Sequence, residues 1–246
     1  YRVCNGNLLY HGCIPMEPDG SFTRVTMGDK TYFGKSLMDA CDRLCRTAMY
    51  DRRMENTDLL WYLWCGPYSP LNGKDKIATF ERTFLDDPEA RTEQKNPYYD
   101  LWNSGETART ILTEFGVDFE RGHIINGHVP VRKTKGDTPI KANGKFINID
   151  GGLSKAYQPV TGICGYTLVY SSHELYLAEH QPFDPDTAAR ESADVLSRTI
   201  MIEQYPDRLR VRDTDGGADV ERRIADLKKL LAAYRSGLVR TPSRME

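Results

Sequence analysis

The sequence predicts an α/β fold, from three observations: short apolar runs that stop at glycine, helical apolar spacing between those runs, and an ordinary globular composition. Hydrophobic residues make up 39% and charged residues 28% of 246 residues, enough for one large domain or two small ones with a real core. Tyr1, Val3, Leu8, Leu9 and Tyr10 give the start of the chain strand character, and residues 7–10 read as the strand that runs into His11-Gly12-Cys13. Phe22–Met27 is a second short strand. His123-Ile124-Ile125-Asn126 is a buried-strand pattern that stops at Gly127-His128, and Phe146–Asp150 is another, stopped by Gly151-Gly152. Tyr166–Tyr170 and Glu174–His180 read as a hairpin around Ser171-Ser172-His173.

The helices follow from the period of 3.6. Between Ser36 and Arg53, the residues Leu37, Met38, Cys41, Leu44, Cys45, Ala48 and Met49 share one face, and Ser36 with Asp39 resembles a helix start. Asn56–Trp64 is a second helix, with Leu59, Leu60, Leu63 and Trp64 expected inward. Residues 65–76 hold the breaker pairs Gly66-Pro67, Ser69-Pro70 and Asn72-Gly73 and read as loop. Asp86–Tyr99 is polar and punctuated by proline, so an exposed connection is expected. Ser104 caps a helix over Gly105–Phe115 that Gly116 ends. After Pro182, charged amphipathic helices are predicted over Thr187–Met201 and Ala218–Tyr234. The domain reading is therefore 1–183 as the main domain and 184–246 as a helical tail, a packing or oligomer surface.

The totals exclude some functions. A net charge of −2 argues against a nucleic-acid binder, although a local Lys/Arg cluster suffices for a small anion. No run of about eighteen apolar residues predicts a membrane span. The first ten residues lack the pattern of a signal peptide. No Met opens the chain, and the expectation is that it starts inside a longer protein. Cysteines 4, 13, 41, 45, 65 and 164 form no Cys-x-x-Cys pair and fit reduced thiols of a cytoplasmic protein.

The histidines carry the chemistry. Of five, His11 and His128 sit at strand ends beside glycine. A strand aims such a side chain rigidly, the glycine lets a ligand approach, and neutral imidazole binds zinc, manganese or iron. His11-Gly12 and Gly127-His128 resemble the last two metal-binding motifs of the calcineurin-like metallophosphoesterases. The blocks Asp58–Gly66, Ser69-Pro70-Leu71, Gly73-Lys74, Ala78–Arg82 and Lys95–Tyr99 narrow this to a resemblance to class III fructose-1,6-bisphosphatases. The longest match is Asn126–Tyr170, with Gly127–Val131, Pro139–Ala142, Ile149–Gly152 and Ser154–Gln158.

The resemblance implies part of a two-sheet sandwich flanked by helices. It implies hydrolysis of the 1-phosphate of fructose 1,6-bisphosphate by a dinuclear centre, with manganese as the expected metal. His11 and His128 would hold one of its two ions. The Asp-x-His, Gly-Asp-x-x-Asp and Gly-Asn-His motifs of the superfamily are missing, since Gly28-Asp29 and Gly136-Asp137 lack the second Asp. The other ligands and the catalytic acid are therefore expected upstream, in the rest of the same protein, and the fragment alone is expected to be inactive. Basic residues should meet the substrate phosphates: Lys141 and Lys155 first, then Arg82 and Arg132, whereas Lys133 and Lys135, in a loop without apolar neighbours, are expected as solvated surface charges. Another metallophosphoesterase, a protein or nucleotide phosphatase, and a non-catalytic regulatory or assembly domain are the rival readings.

Overall fold

The computed structural model describes residues 1–163, 165–182 and 197–239. Its main sheet is built from very short strands. β1 (Arg2–Cys4) and β2 (Asn7–Leu9) form an antiparallel hairpin. The strand read over residues 7–10 is β2, and the apolar residues before it belong to a separate strand, because Asn5 and Gly6 both take positive φ, 48° and 75°, and turn the chain back. Asn-Gly is the strongest short hairpin signal a sequence offers. β3 (Val25–Met27) and β4 (Lys30–Tyr32) form a separate small hairpin.

β5 (Ile124–Asn126) pairs parallel with β2, β7 (Phe146–Asn148) pairs parallel with β5, and β6 (Ile140–Lys141) closes the other edge. The order is β1-β2-β5-β7-β6. A second sheet, order β10-β9-β8, consists of β8 (Gly165–Tyr170), β9 (Glu174–His180) and β10 (Ser197–Gln204).

The period of two in the strands sorts side chains between two cores. Leu8, Ile124 and Phe146 are aligned across β2, β5 and β7, and all enter one core with Ile111 and Leu112 of helix 105–114, Tyr98 and Trp102. Their successors Leu9, Ile125 and Ile147 face the other core, where Tyr166, Leu175 and Leu177 arrive from the second sheet. Burying each such side chain is worth about 1.5–3 kcal/mol, so a one-residue slip in register would be costly. The expected α/β class holds, with helices on one face of the main sheet and the second sheet on the other.

The helices are α1 (Gly34–Tyr50), α2 (Met54–Cys65), the short α3 (Thr79–Phe84) and α4 (Pro88–Arg91), α5 (Gly105–Glu114) and α6 (Gln158–Thr161). Ser104 caps α5 as expected, accepting from Thr107 N at 3.1 Å. Ser36 lies inside α1 rather than at its start: its Oγ accepts from Phe33 N at 3.0 Å, while Asp39 pairs with Lys35. A C-terminal helix covers Asp215–Arg235.

Three expectations are corrected. The helix predicted over 187–201 gives way to strand over Ser197–Met201, because Ile200 and Ile202 pack into the second core and β10 pairs along β9. Residues 183–196, with the rest of that predicted helix and the boundary near 184, lie outside the described residues. On α2 only Leu63 is buried; Leu60 and Trp64 face solvent, since α1 covers a single stripe of the helix. The expected exposed connection over 86–99 ends in the core: Tyr98 is fully buried, set there by Asn96, whose Oδ1 accepts from Tyr98 N at 3.0 Å and Met16 N at 3.1 Å.

Candidate metal centre

β2 and β5 are parallel neighbours, so the residues leaving their C-terminal ends emerge side by side. That places His11 beside His128. The His11 Nε2 and His128 Nδ1 atoms are 3.1 Å apart. Two imidazoles on one ion at about 2.1 Å each leave their nitrogens roughly 3 Å apart, so the pair is spaced as a metal's adjacent ligands are.

The second ring nitrogen of His128 sets its tautomer. Nε2–H donates to the Asn72 carbonyl at 2.8 Å, which leaves the lone pair of Nδ1 directed at His11. A metal-binding histidine usually donates its other N–H in this way. Burial first, then the neighbouring His11, hold the His128 imidazole below its ordinary pKa against the opposing pull of the Asn72 carbonyl, so the neutral, ligating form is favoured. His128 also sits at φ +69°, a left-handed conformation that is uncommon outside glycine and asparagine. Such strain persists only where its surroundings enforce it.

Those surroundings are identifiable. Asn126 and Asn148 end β5 and β7 in register, and both are buried. Asn126 Nδ2 donates to the Gly12 carbonyl at 3.2 Å and to Tyr98 Oη at 2.8 Å, and Tyr98 Oη in turn meets Tyr10 Oη at 2.6 Å. Asn148 Nδ2 donates to the Val129 carbonyl at 2.8 Å, holding the chain just after His128. Gly127 N donates to the His11 carbonyl at 2.9 Å, tying the two strand ends directly.

The loop 69–72 closes the remaining side. Pro70 O accepts from Cys13 N at 3.0 Å. A Cβ at residue 12 would stand 2.4 Å from that same Pro70 O, so only glycine fits beneath the loop. Asn72 anchors the loop: its Nδ2 reaches the Cys65, Gly66 and Lys74 carbonyls at 3.4, 3.4 and 3.0 Å.

The other residues singled out from the sequence are dispersed. Lys141 pairs with Asp137 at 2.6 Å. Arg82 and Lys74 share Glu93, at 3.2 and 2.8 Å. Lys155 stands exposed on the turn before α6. Lys133, expected as a surface charge, instead binds the buried Glu179 at 2.6 Å. Asp150 shapes the turn after β7, its Oδ1 accepting from Gly152 N at 2.9 Å. His123 is structural, bonded to the Gly144 carbonyl at 2.8 Å and to Glu203 at 3.2 Å. Among the described residues, no group of three or more His, Cys, Asp or Glu side chains is placed to hold a metal. No helix among them is long and apolar enough to cross a membrane.

The family model described as Firmicute fructose-1,6-bisphosphatase matches residues 1–236. Proteins named fructose-1,6-bisphosphatase class 3 are similar throughout: one from Clostridium botulinum (strain Loch Maree / Type A3) is 50% identical over 98% of this chain and 37% of its own length. One from Clostridium tetani is 49% identical over 97% and 37%, and one from Clostridium beijerinckii 48% identical over 100% and 38%. The chain thus spans little more than a third of the length of these relatives. No solved structure matches it.

Proposed function

Because the chain belongs to the Firmicute fructose-1,6-bisphosphatase family, we propose that the protein containing it hydrolyses the 1-phosphate of fructose 1,6-bisphosphate, with this chain supplying part of a dinuclear metal site. The observation that carries the reading is the convergence of His11 Nε2 and His128 Nδ1 at 3.1 Å.

In this reading, the two imidazoles hold one of two divalent ions, with manganese the expected metal. Bound there, the ions supply positive charge to the phosphoryl oxygens and make water a nucleophile near neutral pH. The chain's own residues perform the remaining tasks. Asn72 O fixes the ligating tautomer of His128, and Asn126 and Asn148 hold the two strand ends at a fixed separation. Lys141, Lys155 and Arg82 are the proposed phosphate contacts. Lys141 is aimed by Asp137, whereas Arg82 would have to share its guanidinium with Glu93. The remaining ligands and the acid for the leaving alkoxide belong to the rest of the protein. The fold this implies is part of a metallophosphoesterase two-sheet sandwich, and the setting is a cytoplasmic, gluconeogenic one.

Phosphate release from fructose 1,6-bisphosphate with manganese tests this, comparing the chain with the full-length protein, each with and without a chelator. Chelator-sensitive release by the full-length protein alone is expected. Absence of release by the full-length protein overturns the substrate. Release by this chain alone overturns the partition of the site.

A further inference from the structure

A bisphosphate brings a second phosphate that the metal pair does not cleave. A cavity of about 180 Å³ opens at Val129-Pro130, the two residues that follow His128. Its charged lining is Lys95, Arg132 and Lys141 against Asp137, three cations and one carboxylate, two positive charges in excess. Its aromatic walls are Tyr99 and Trp102. The volume suits a phosphate group and excludes a whole sugar bisphosphate, so an occupant must extend out of it.

Two of the three cations are positioned by neighbours. Lys141 Nζ is fixed by Asp137 at 2.6 Å and lies 5.5 Å from the Trp102 ring centroid. Lys95 Nζ lies 5.8 Å from the centre of Tyr99. Among the described residues, neither Lys95 nor Arg132 has a carboxylate within ion-pair distance; Asp100 and Asp137 act on Lys95 only from farther away. Desolvation, then Arg132 and Lys74, press the Lys95 ammonium below its usual range, against the opposing pull of Asp100 and Asp137. The basic arc reaches the metal ligand itself: Lys74 bridges backbone with Lys95, and its charge is felt by His128.

We propose that Lys95, Arg132 and Lys141 form the subsite for the uncleaved phosphate of the sugar bisphosphate, and so determine its preference over monophosphates. This rests on the sugar-phosphatase reading, adds Lys95 to it and gives Arg132, a candidate from the sequence, a defined place. Charge-assisted hydrogen bonds to phosphate give the subsite its affinity.

The test uses the full-length protein with manganese and compares kcat/KM for fructose 1,6-bisphosphate and fructose 1-phosphate. Lys95→Met and the exposed Arg132→Gln should each lower the ratio of the two by about 10- to 100-fold, mainly through KM, and Lys95→Arg should recover part of it. Equal losses on both substrates, or an unchanged ratio in Arg132→Gln, would overturn the proposal. A parallel titration with inorganic phosphate in the presence of a chelator separates the causes. If phosphate binds, Lys95→Met removes that binding, and the unaltered protein cleaves neither sugar phosphate, then the sugar-phosphatase reading has failed and not the anion cavity. Binding removed by Lys95→Met with the ratio unchanged would assign the cavity to a phosphorylated regulator, and would equally overturn the substrate assignment.

Discussion

Around His11 and His128, buried asparagines and backbone carbonyls grip the chain from several sides, whereas α2 and the C-terminal helix turn large apolar side chains to solvent. Trp61 and Trp64 are each 69% exposed and Leu227 is 63% exposed. The C-terminal helix is moored at its first turn, where Asn5 and Asp215 exchange hydrogen bonds of 2.7 and 3.0 Å, and its stripe of Ile224, Leu227, Leu230 and Leu231 is uncovered among the described residues. Within this chain, the contacts that hold the histidine pair come from the ends of β2, β5 and β7 and from the loop 69–72. The exposed faces are apolar beyond what a solvated helix needs, and faces of that kind invite association.

The largest expected effect falls on the first region. His128→Ala in the full-length protein should reduce phosphate release by about a thousandfold or more, since it removes a ligand of the proposed centre. Next come residues that never touch the ligand position. Gly12→Ala pushes a Cβ against Pro70 O and displaces the loop that orients His128. It should cost about 1–3 kcal/mol by urea denaturation and about 10- to 100-fold in manganese affinity. Asn72→Ala should lower metal affinity similarly by releasing the same loop. Wild-type behaviour of both variants would show that the histidines need no such support.

Two smaller effects mark the periphery. Desolvation pushes the Glu93 carboxyl up, but the Lys74 ammonium, the Ala78 N–H and the Arg82 guanidinium together hold it below its usual range. Its contribution is therefore fully present above the unfolded carboxylate pKa of about 4.3 and is lost as the pH falls through the folded value. Glu93→Gln should cost about 1 kcal/mol at neutral pH, with the difference from wild type shrinking below about pH 4 in denaturation curves. Trp61→Ser should leave stability within about 0.5 kcal/mol while reducing self-association of the chain in sedimentation. Unchanged association would mean that α2 is not a sticky face.

The sequence made the strand ends legible because a rigid strand, a glycine and a histidine follow one another in the chain. It made α5 legible through Ser104 and Gly116, which punctuate a clean apolar period. The supports of the site were harder to read. Asn72 and Pro70 act through backbone carbonyls, which no side-chain pattern encodes. Asn126 and Asn148 did leave a signal, a polar residue ending each of the apolar triplets Ile-Ile-Asn and Phe-Ile-Asn. Alternating Ile200 and Ile202 likewise marked β10 as a strand, but the charged residues around them suggested a helix. Tyr98 was hidden by polar neighbours, and its burial depends on a turn built by Asn96.

The central claim is that His11 and His128 hold one metal ion together. Manganese content per chain of the full-length protein, measured after dialysis alongside phosphate release, tests it most directly. Two ions are expected in the wild type and about one in either His11→Ala or His128→Ala, with release lost in both. Two tightly held ions in both variants, with release intact, would contradict it.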